Sequence, residues 1–455
     1  RPRRSGQARR MISTLRSWWV SVNASYWFYP AIFSALAAIL AFITVYIDRV
    51  WAAEYLSQVS WLSPARPDGA RNTLTVIAGS MIGVASTVFS ITIAAVAYAS
   101  GNYGPRLLTN FMEDRGNQLS LGTFIATFVY AVMVMRVVRS EGERATTVAD
   151  AVSTVAPGFV PQLSLFVATI MVAVAVAVLV YFLNHIPSSI RINTVLEGIG
   201  ERLIHDLKRR FPDDDDGSEH ALRPSGWPIV ARESGYVQII DFSTLDDVAK
   251  EYQGTIILKV RTGDFVHPDM VFAEFAGNDG EENCIEAIRD CFSMGGRRTP
   301  TQDLEFLIDE LVEIALRALS PGINDPFTAI TAMHWLGAAT GELARRDLTR
   351  GPEQNGYSQK RVLPLDDDFR HFLARGFGDI RASAASSPLA AKNFLDCLFA
   401  SATAASSQRR RDAIAREGAL LVIQARETLT GPALNELEAR YIHFSETMAA
   451  IGKSA

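Results

Sequence analysis

The chain has 455 residues, of which 48% are hydrophobic, and its formal net charge is only −5. This small charge excludes a strongly basic surface for nucleic acid as a property of the whole chain, so we expect no nucleic-acid partner. The mean hydropathy of +0.11 is unremarkable for a large soluble protein. However, the apolar residues are concentrated before residue 185, so the average conceals an apolar first part and a polar second part.

Four stretches in the first part are long and apolar enough to cross a bilayer. A membrane-spanning helix needs about 20 apolar residues to cross about 30 Å of hydrocarbon. The sequence predicts spans at Trp27 to Ile47, Thr73 to Ala99, Leu119 to Val138 and Leu163 to Leu183, the last broken at Pro187. Buried helices of a soluble core are the weaker interpretation, because aromatic clusters and short loops bound these runs.

Basic residues near the span ends predict the orientation. Residues 1–26 contain six arginines, and residues 186–225 contain several further Arg and Lys residues. Such residues accumulate on the cytoplasmic side of bacterial inner membranes. Four crossings also return the chain to the side on which it began. We therefore predict a multi-pass inner-membrane protein in contact with the lipid bilayer, with both termini cytoplasmic.

One face of the second span consists of small and hydroxyl-bearing residues. Gly79, Gly83, Ser86 and Ser90 recur at a spacing of three or four, and Thr87 lies beside them. Small residues let helices approach closely, so one interpretation is a packing seam within or between subunits. The other is a hydroxyl-lined pore at the axis of a homo-oligomer. No ring of buried acidic or basic residues marks an ion path in the spans, which disfavours proton-coupled transport.

The composition divides the chain into five parts. The predicted order is a basic cytoplasmic N-terminus (1–26), a four-helix transmembrane domain (27–185), a charged helix with an acidic linker (186–225), a small β domain (226–280) and a helical cytoplasmic domain (281–455). Short β-like runs in the fourth part suit a small barrel or sandwich. The predicted fold class is thus an α-helical membrane domain followed by an α+β cytoplasmic domain with a helical bundle.

A helix with one buried face is predicted from Leu304 to Ala318. Its acidic residues are expected outside, and these are Asp303, Glu305, Asp309, Glu310 and Glu313.

The segment SPGINDP, from Ser320 to Pro326, ends this helix and starts the next. The candidate motif residues are Ser320, Pro321, Gly322, Asn324, Asp325 and Pro326. Gly322 can adopt the left-handed cap, Asp325 can be the N-cap, and Pro326 suits the first helical position. An ordinary helix corner is the simpler interpretation. The alternative is an anion site at the helix start, with Arg297 and Arg298 as neighbours.

No catalytic constellation is present in the sequence. Cys284, Cys291 and Cys397 fit neither a disulfide framework nor a zinc site. The chain lacks GxSxG, Walker and HExxH motifs as well as paired His and Cys ligands. We therefore predict that the protein is not an enzyme and has no cofactor and no metal.

Three strings carry a family resemblance. They are Arg317 to Ala329 (RALSPGINDPFTA), Ser234 to Gln238 (SGYVQ) and Gly104 to Phe124 (GPRLLTNFMEDRGNQLSLGTF). Together they resemble a bacterial family of predicted membrane proteins, domain of unknown function 2254. The resemblance implies four spans and then one cytoplasmic β-plus-helical domain, but no reaction, substrate or cofactor. Two hypotheses follow: a homo-oligomeric channel with a cytoplasmic regulatory domain, or a membrane-anchored scaffold or sensor that binds a cytoplasmic ligand or partner protein.

Overall fold

The computed structural model describes residues 26–52, 66–104, 114–140, 159–211, 224–277, 282–348, 361–365 and 368–454. The basic N-terminus (1–25) and most of the acidic linker (212–223) therefore lie outside the described residues. The chain forms two compact units. The N-terminal unit comprises Val20–Gly101 and Pro105–Arg191, and the C-terminal unit is built mainly from Ile192–Ala455.

The N-terminal unit contains the four predicted apolar helices. They are α1 (Phe28–Ile47), α2 (Pro67–Tyr103), α3 (Arg115–Met135) and α4 (Gln162–Ser189). All four are long and apolar enough to cross a membrane, which confirms the prediction of four candidate spans.

The bounds of three of these helices differ clearly from the prediction. Helix α3 runs from Arg115 to Met135 instead of from Leu119 to Val138. Helix α2 starts at Pro67 instead of Thr73, and α4 continues through Pro187 to Ser189. A proline this close to a helix end removes one backbone hydrogen bond without stopping the final turn. The hydroxyl of Ser188 donates to the backbone oxygen of His185 at 2.7 Å in that turn.

One apolar core holds the N-terminal unit together. Helix α3 packs against both α1 and α4, and its Phe124 and Tyr130 are fully buried. Helix α2 adds Leu74, Met81 and Val88 to the same core. Asp114 caps the start of α3 by accepting hydrogen bonds from the backbone of Gly116 and Asn117.

The C-terminal unit begins with helix α5 (Ile192–Arg210), which precedes a β layer. The strands are β1 (Trp227–Val230), β2 (Gly235–Ile240), β3 (Thr255–Leu258), β4 (Phe265–Val266), β5 (Val271–Ala276), β6 (Phe292–Gly295) and β7 (Val362–Leu363). Helices α6 (Phe242–Glu251) and α7 (Glu282–Arg289) share its apolar core.

The strands form two open sheets, so of the two predicted alternatives, a barrel or a sandwich, the barrel is wrong. One sheet has the order β1-β5-β3-β7 and the other has the order β4-β2-β6. The pair β3–β7 is parallel, and the other pairs are antiparallel. A barrel does not close because β3 pairs with β7, a strand from far along the chain, and leaves β4 to the second sheet.

Helices make up the rest of the C-terminal unit. They are α8 (Leu304–Ala318), α9 (Pro326–Arg345), α10 (Phe369–Leu373), α11 (Asp379–Ala385), α12 (Pro388–Thr403), α13 (Gln408–Thr428) and α14 (Pro432–Ser454). Helix α9 is central, since it contacts α5, α8 and α12.

Helix α5 packs on α8 and α9 through Leu196, Ile199, Gly200, Leu203 and Leu207. At the closest approach, a Cβ atom on Gly200 would overlap the indole ring of Trp335 on α9. A glycine is therefore required at this helix crossing for steric reasons.

We predict that Gly200→Ala destabilises the protein by about 1–3 kcal/mol, because a methyl group must displace a packed indole ring. Gly198→Ala is the matched control on the same helix, since a Cβ there meets nothing within 4 Å. This control should gain roughly 0.5–1 kcal/mol from the higher helix propensity of alanine. Thermal unfolding of both full-length variants in detergent measures the difference, and equal melting temperatures would contradict the proposed steric requirement.

Candidate functional site

The small-residue face of the second span points away from the core of its own unit. The buried residues of α2 include Leu74, Ile77, Met81, Ala85 and Val88. At about 100° per residue, the predicted residues Gly79, Gly83, Ser86 and Ser90 lie on the opposite side of the helix, where they are exposed.

A Cβ atom at either Gly79 or Gly83 would meet nothing within 4 Å. The seam therefore does not pack against the part of the chain that the structure describes. We refer to Gly79, Gly83, Ser86 and Ser90 as the outer seam.

The hydroxyl groups on this side are satisfied by the helix itself. Ser90 donates to the backbone oxygen of Ser86 at 2.9 Å, and Thr87 donates to that of Gly83 at 3.0 Å. Such bonds remove the cost of an unpaired hydroxyl in hydrocarbon. The outer seam can consequently face lipid, another helix or a narrow water path without a further partner.

The other exposed helix faces of this unit are bulkier than the outer seam. Helix α1 exposes Phe42 and Tyr46, and α4 exposes Val180 and Leu183. Large apolar side chains are typical of a lipid-facing surface, whereas small residues are enriched where membrane helices meet. The outer seam differs from these faces by its small side chains.

A buried polar network joins the other three helices of the N-terminal unit. Both carboxylate oxygens of Asp48, directly after α1, accept backbone N–H bonds from the first turn of α4, at Leu163 and Ser164 (both 2.9 Å). The hydroxyl of Tyr130 on α3 bonds to the backbone oxygen of Ser164 (3.2 Å) and to the hydroxyl of Thr44 (2.8 Å). The carboxylate of Asp48 thus acts as a cap on another helix.

Sequence reasoning missed this role of Asp48. The residue follows the first predicted span immediately, and an acidic residue at a span end is ordinarily read as solvated. The sequence feature that could have indicated this role is the position of Asp48 and Arg49 directly at the end of an apolar run. Its burial became apparent only from the packing of α4.

The second predicted site, SPGINDP, is an exposed corner between α8 and α9. Residues 321–324 are all exposed. Asp325 is the N-cap, as predicted, and its carboxylate accepts bonds from the backbone and hydroxyl of Thr328. Pro326 is the first residue of α9, also as predicted.

Two expectations for this corner are wrong. The left-handed residue is Asn324 (φ 49°) and not Gly322. Asparagine tolerates this conformation, and the backbone oxygen of Ser320 accepts bonds from Ile323 and Asn324 in the turn. Arg298 is no neighbour of the α9 N-terminus, because it binds residues at the opposite end of α8.

The acidic residues of α8 form a buried site where the sequence analysis predicted an exposed helix face. Asp303, Glu305, Asp309 and Glu310 were expected outside, yet all four are less than 10% exposed. Only Glu313 is partly exposed. Asp303, Glu305 and Asp309 form an ion network with Arg261, Arg298, Arg375 and His371, which we call the α8 ion network.

Arginines bridge the carboxylates of this network at short distances. Arg298 donates to Asp303 at 2.8 Å and to Asp309 at 2.5 Å. Arg375 binds Asp309 in a bidentate manner (2.6 and 2.8 Å) and reaches Glu305 at 2.8 Å. Three carboxylates and three guanidinium groups thereby offset one another's charge, as buried ions require.

Two further contacts tie the network to neighbouring elements. The imidazole of His371 on α10 lies 2.8 Å from Glu305. Arg261, which follows β3, lies 3.7 Å from the same carboxylate. The network therefore joins the β layer to the helices. No sequence motif marks it, because its members come from four separate segments.

The pKa values of two carboxyl groups in this network shift in opposite directions. Loss of solvent raises the pKa of Asp303 to about 6, although the charge of Arg298 opposes the shift. For Glu305, burial again favours the neutral form. The hydrogen bond from His371 and the charge of Arg375 outweigh it and leave the pKa below its ordinary value.

The cysteines offer no metal site or disulfide. All three are free and buried, and burial raises the pKa of the Cys397 thiol to about 12. Among the residues that the structure describes, no group of three or more His, Cys, Asp and Glu side chains could hold a metal ion.

Comparison with known proteins places this architecture in a family. The family model "Predicted membrane protein (DUF2254)" matches residues 23–400, which include all four spans, the SPGINDP corner and the α8 ion network. The chain belongs to this family. Helices α13 and α14 lie after residue 400, outside the part of the chain that the DUF2254 model matches.

Uncharacterized proteins of mycobacteria are among the relatives. One from Mycobacterium bovis and two from strains of Mycobacterium tuberculosis are each 29% identical over 370 residues, which cover 78% of this chain and 68% of each relative. No solved structure matches this DUF2254 chain.

We predict that Asp303 makes stability fall as pH rises. Because its pKa of about 6 lies above the ordinary 3.8, the folded state binds a proton more tightly than the unfolded chain between about pH 4 and 6. The free energy of unfolding should therefore decrease over this range by at most about 3 kcal/mol. Asp303→Asn cannot titrate and should show a smaller decrease.

Melting temperatures of the detergent-solubilised protein between pH 4.5 and 7 test this prediction. Glu305 has the opposite effect on stability, because its pKa is lowered. This effect occurs only at pH values below its ordinary pKa of 4.5. Asp396→Asn is the control, since Asp396 forms an exposed ion pair with Arg440 at 2.7 Å. An Asp303→Asn profile parallel to that of the unsubstituted protein would refute the role of Asp303.

Proposed function

We propose that the protein is a homo-oligomeric inner-membrane channel whose subunits meet through their second spans. The observation that carries this proposal is the exposed outer seam of α2. Gly79 and Gly83 lie one turn apart and leave open space around both Cα atoms. This spacing is the small-xxx-small pattern by which membrane helices associate closely.

The same seam supports a conducting axis. In a ring of α2 helices that cross at Gly79 and Gly83, the helices would diverge beyond the crossing, so that Ser86 and Ser90 line the symmetry axis at successive turns. Between Asn72 and Tyr103 the helix carries no acidic or basic residue. A pore along such an axis would select permeant species by its diameter and its hydroxyl groups and not by a ring of charges.

The proposed orientation places both termini and the C-terminal unit in the cytoplasm. The Arg and Lys residues that flank the spans support it. In this arrangement the C-terminal unit is the regulatory domain. Channel and regulator would act without catalysis, cofactor or metal.

We expect full-length protein in lipid nanodiscs to assemble as a symmetric oligomer, and electron microscopy with mass measurement tests this. Gly83→Leu should reduce the assembly to monomers, because four extra side-chain carbons prevent close helix approach. Ser80→Leu is the control, because Ser80 is an exposed small residue of the same helix that lies about 90° around the helix from the outer seam. A monomeric unsubstituted protein would refute the proposal.

Ion conductance across planar bilayers tests the axis itself. We expect Ser90→Leu to lower or abolish conductance while leaving the oligomer intact, because leucine would fill the narrow path. Thr169→Leu is the matched control, since Thr169 is an exposed hydroxyl residue of α4 that donates to its own helix at 3.0 Å. Equal conductance of the two variants would contradict an axis lined by the outer seam.

An alternative function is a membrane-anchored scaffold or sensor. The observation that favours it is an open groove of about 560 Å³ between α9 and α12, lined by residues that include Gly337, Cys397 and Ala400. His334 and Asp396 also line it. A symmetric assembly without conductance would leave this alternative as the better proposal.

A further inference from the structure

The directions of three helices show which end of the C-terminal unit carries the SPGINDP corner. Helices α5 and α9 run parallel. Gly200 faces Trp335, and nearer the other end Lys208 lies 3.7 Å from Glu342. Beyond that, Arg346 donates to the backbone oxygen of Phe211.

Helix α8 runs antiparallel to α5. Arg210, the last residue of α5, donates to the backbone oxygen of Gln302 just before α8, at 3.5 Å. At its other end, Ala318 accepts a backbone bond from Asp325 at 2.7 Å. Both relationships place the SPGINDP corner at the N-terminal end of α5.

The register agrees with this placement. Eight residues before Gly200 is Ile192, the first residue of α5, and eight residues before Trp335 is Phe327. In two parallel helices with equal rise, these residues lie at about the same level. Phe327 is thus level with the start of α5.

Chain connectivity relates the start of α5 to the bilayer. Only Ile190 and Arg191 separate it from the end of α4, so Ile192 is at most about 10 Å from Ser189. Helix α4 has 28 residues and is about 42 Å long, which matches a bilayer of about 40–45 Å including its headgroups. The start of α5 is therefore within reach of the headgroup region.

The surface of the corner suits that environment. Phe327 is 71% exposed and Ile323 is 47% exposed, which is unusual for large apolar side chains in water. The polar groups between them are satisfied locally, because the carboxylate of Asp325 binds Thr328 and the hydroxyl of Ser320 donates to Arg317. Arg191, two residues after the end of α4, is exposed, and a cation at this point of the chain suits phosphate headgroups.

We propose that the SPGINDP corner is a membrane-surface contact, with Ile323 and Phe327 inserted into the headgroup region of the leaflet from which α4 emerges. The bilayer, and not a protein partner, covers these two side chains. Apolar side chains commonly anchor at this depth, with nearby cations at the phosphate level. This proposal does not depend on whether the second span forms a channel.

An environment-sensitive fluorophore on Phe327→Cys tests the proposal in full-length protein in phosphatidylcholine and phosphatidylglycerol nanodiscs. The emission should shift to shorter wavelength. Lipids with a nitroxide near the headgroup should quench it several-fold more strongly than lipids with a nitroxide near the terminal methyl. Ile423→Cys on α13 is the matched control, since Ile423 is also a strongly exposed apolar residue, and its label should not be quenched by either lipid.

Two results would overturn the proposal. One is a label at position 327 that responds to water-soluble quencher as fully as the label at position 423. The other is a label at position 327 that is shielded from water but not quenched by nitroxide lipid, which would indicate a second copy or another protein surface. The unsubstituted protein corrects for background labelling, because Cys284, Cys291 and Cys397 are buried.

Discussion

The α8 ion network is the interaction on which the C-terminal unit depends. Asp303, Glu305 and Asp309 lie in or beside the first two turns of one helix. Their partners come from the β layer, from the segment before α8, and from α10 and the residues directly after it. Replacing one carboxylate leaves the charge of a buried arginine unpaired. The resulting loss of folding free energy is normally larger than the contribution of an exposed ion pair. Whatever displaces this end of α8 must therefore displace the β layer as well.

Local features of the chain could be predicted from sequence where one segment contains all the information. The four apolar helices follow from composition alone, because hydrocarbon imposes both length and apolarity on a span. Asp325 and Pro326 were predictable for a similar reason, since capping involves neighbours within four residues. The helix bounds at Pro67 and Ser189 were not, because helices extend beyond the hydrocarbon-length window.

Features that depend on distant segments could not be predicted. The acidic residues of α8 looked like a solvated face, and only the approach of Arg298 and Arg375 made their burial tolerable. The orientation of the outer seam also needed the structure. Periodicity identified Gly79 and Gly83 as one face, but only the shared apolar core of the N-terminal unit shows which face of α2 is turned inward. The Asp48 cap of α4 similarly required the tertiary arrangement.

The pairing of β3 with β7 affects how the protein folds during synthesis. Val362 pairs with Ile256, so β7 reaches its place only after α8 and α9 have been made. Until then β3 presents an open strand edge with the apolar residues Ile256 and Leu258, and such an edge can pair with other nascent chains. High contact order of this kind slows folding. The β layer is therefore completed late, and a fragment that ends before β7 would keep its aggregation-prone edge permanently.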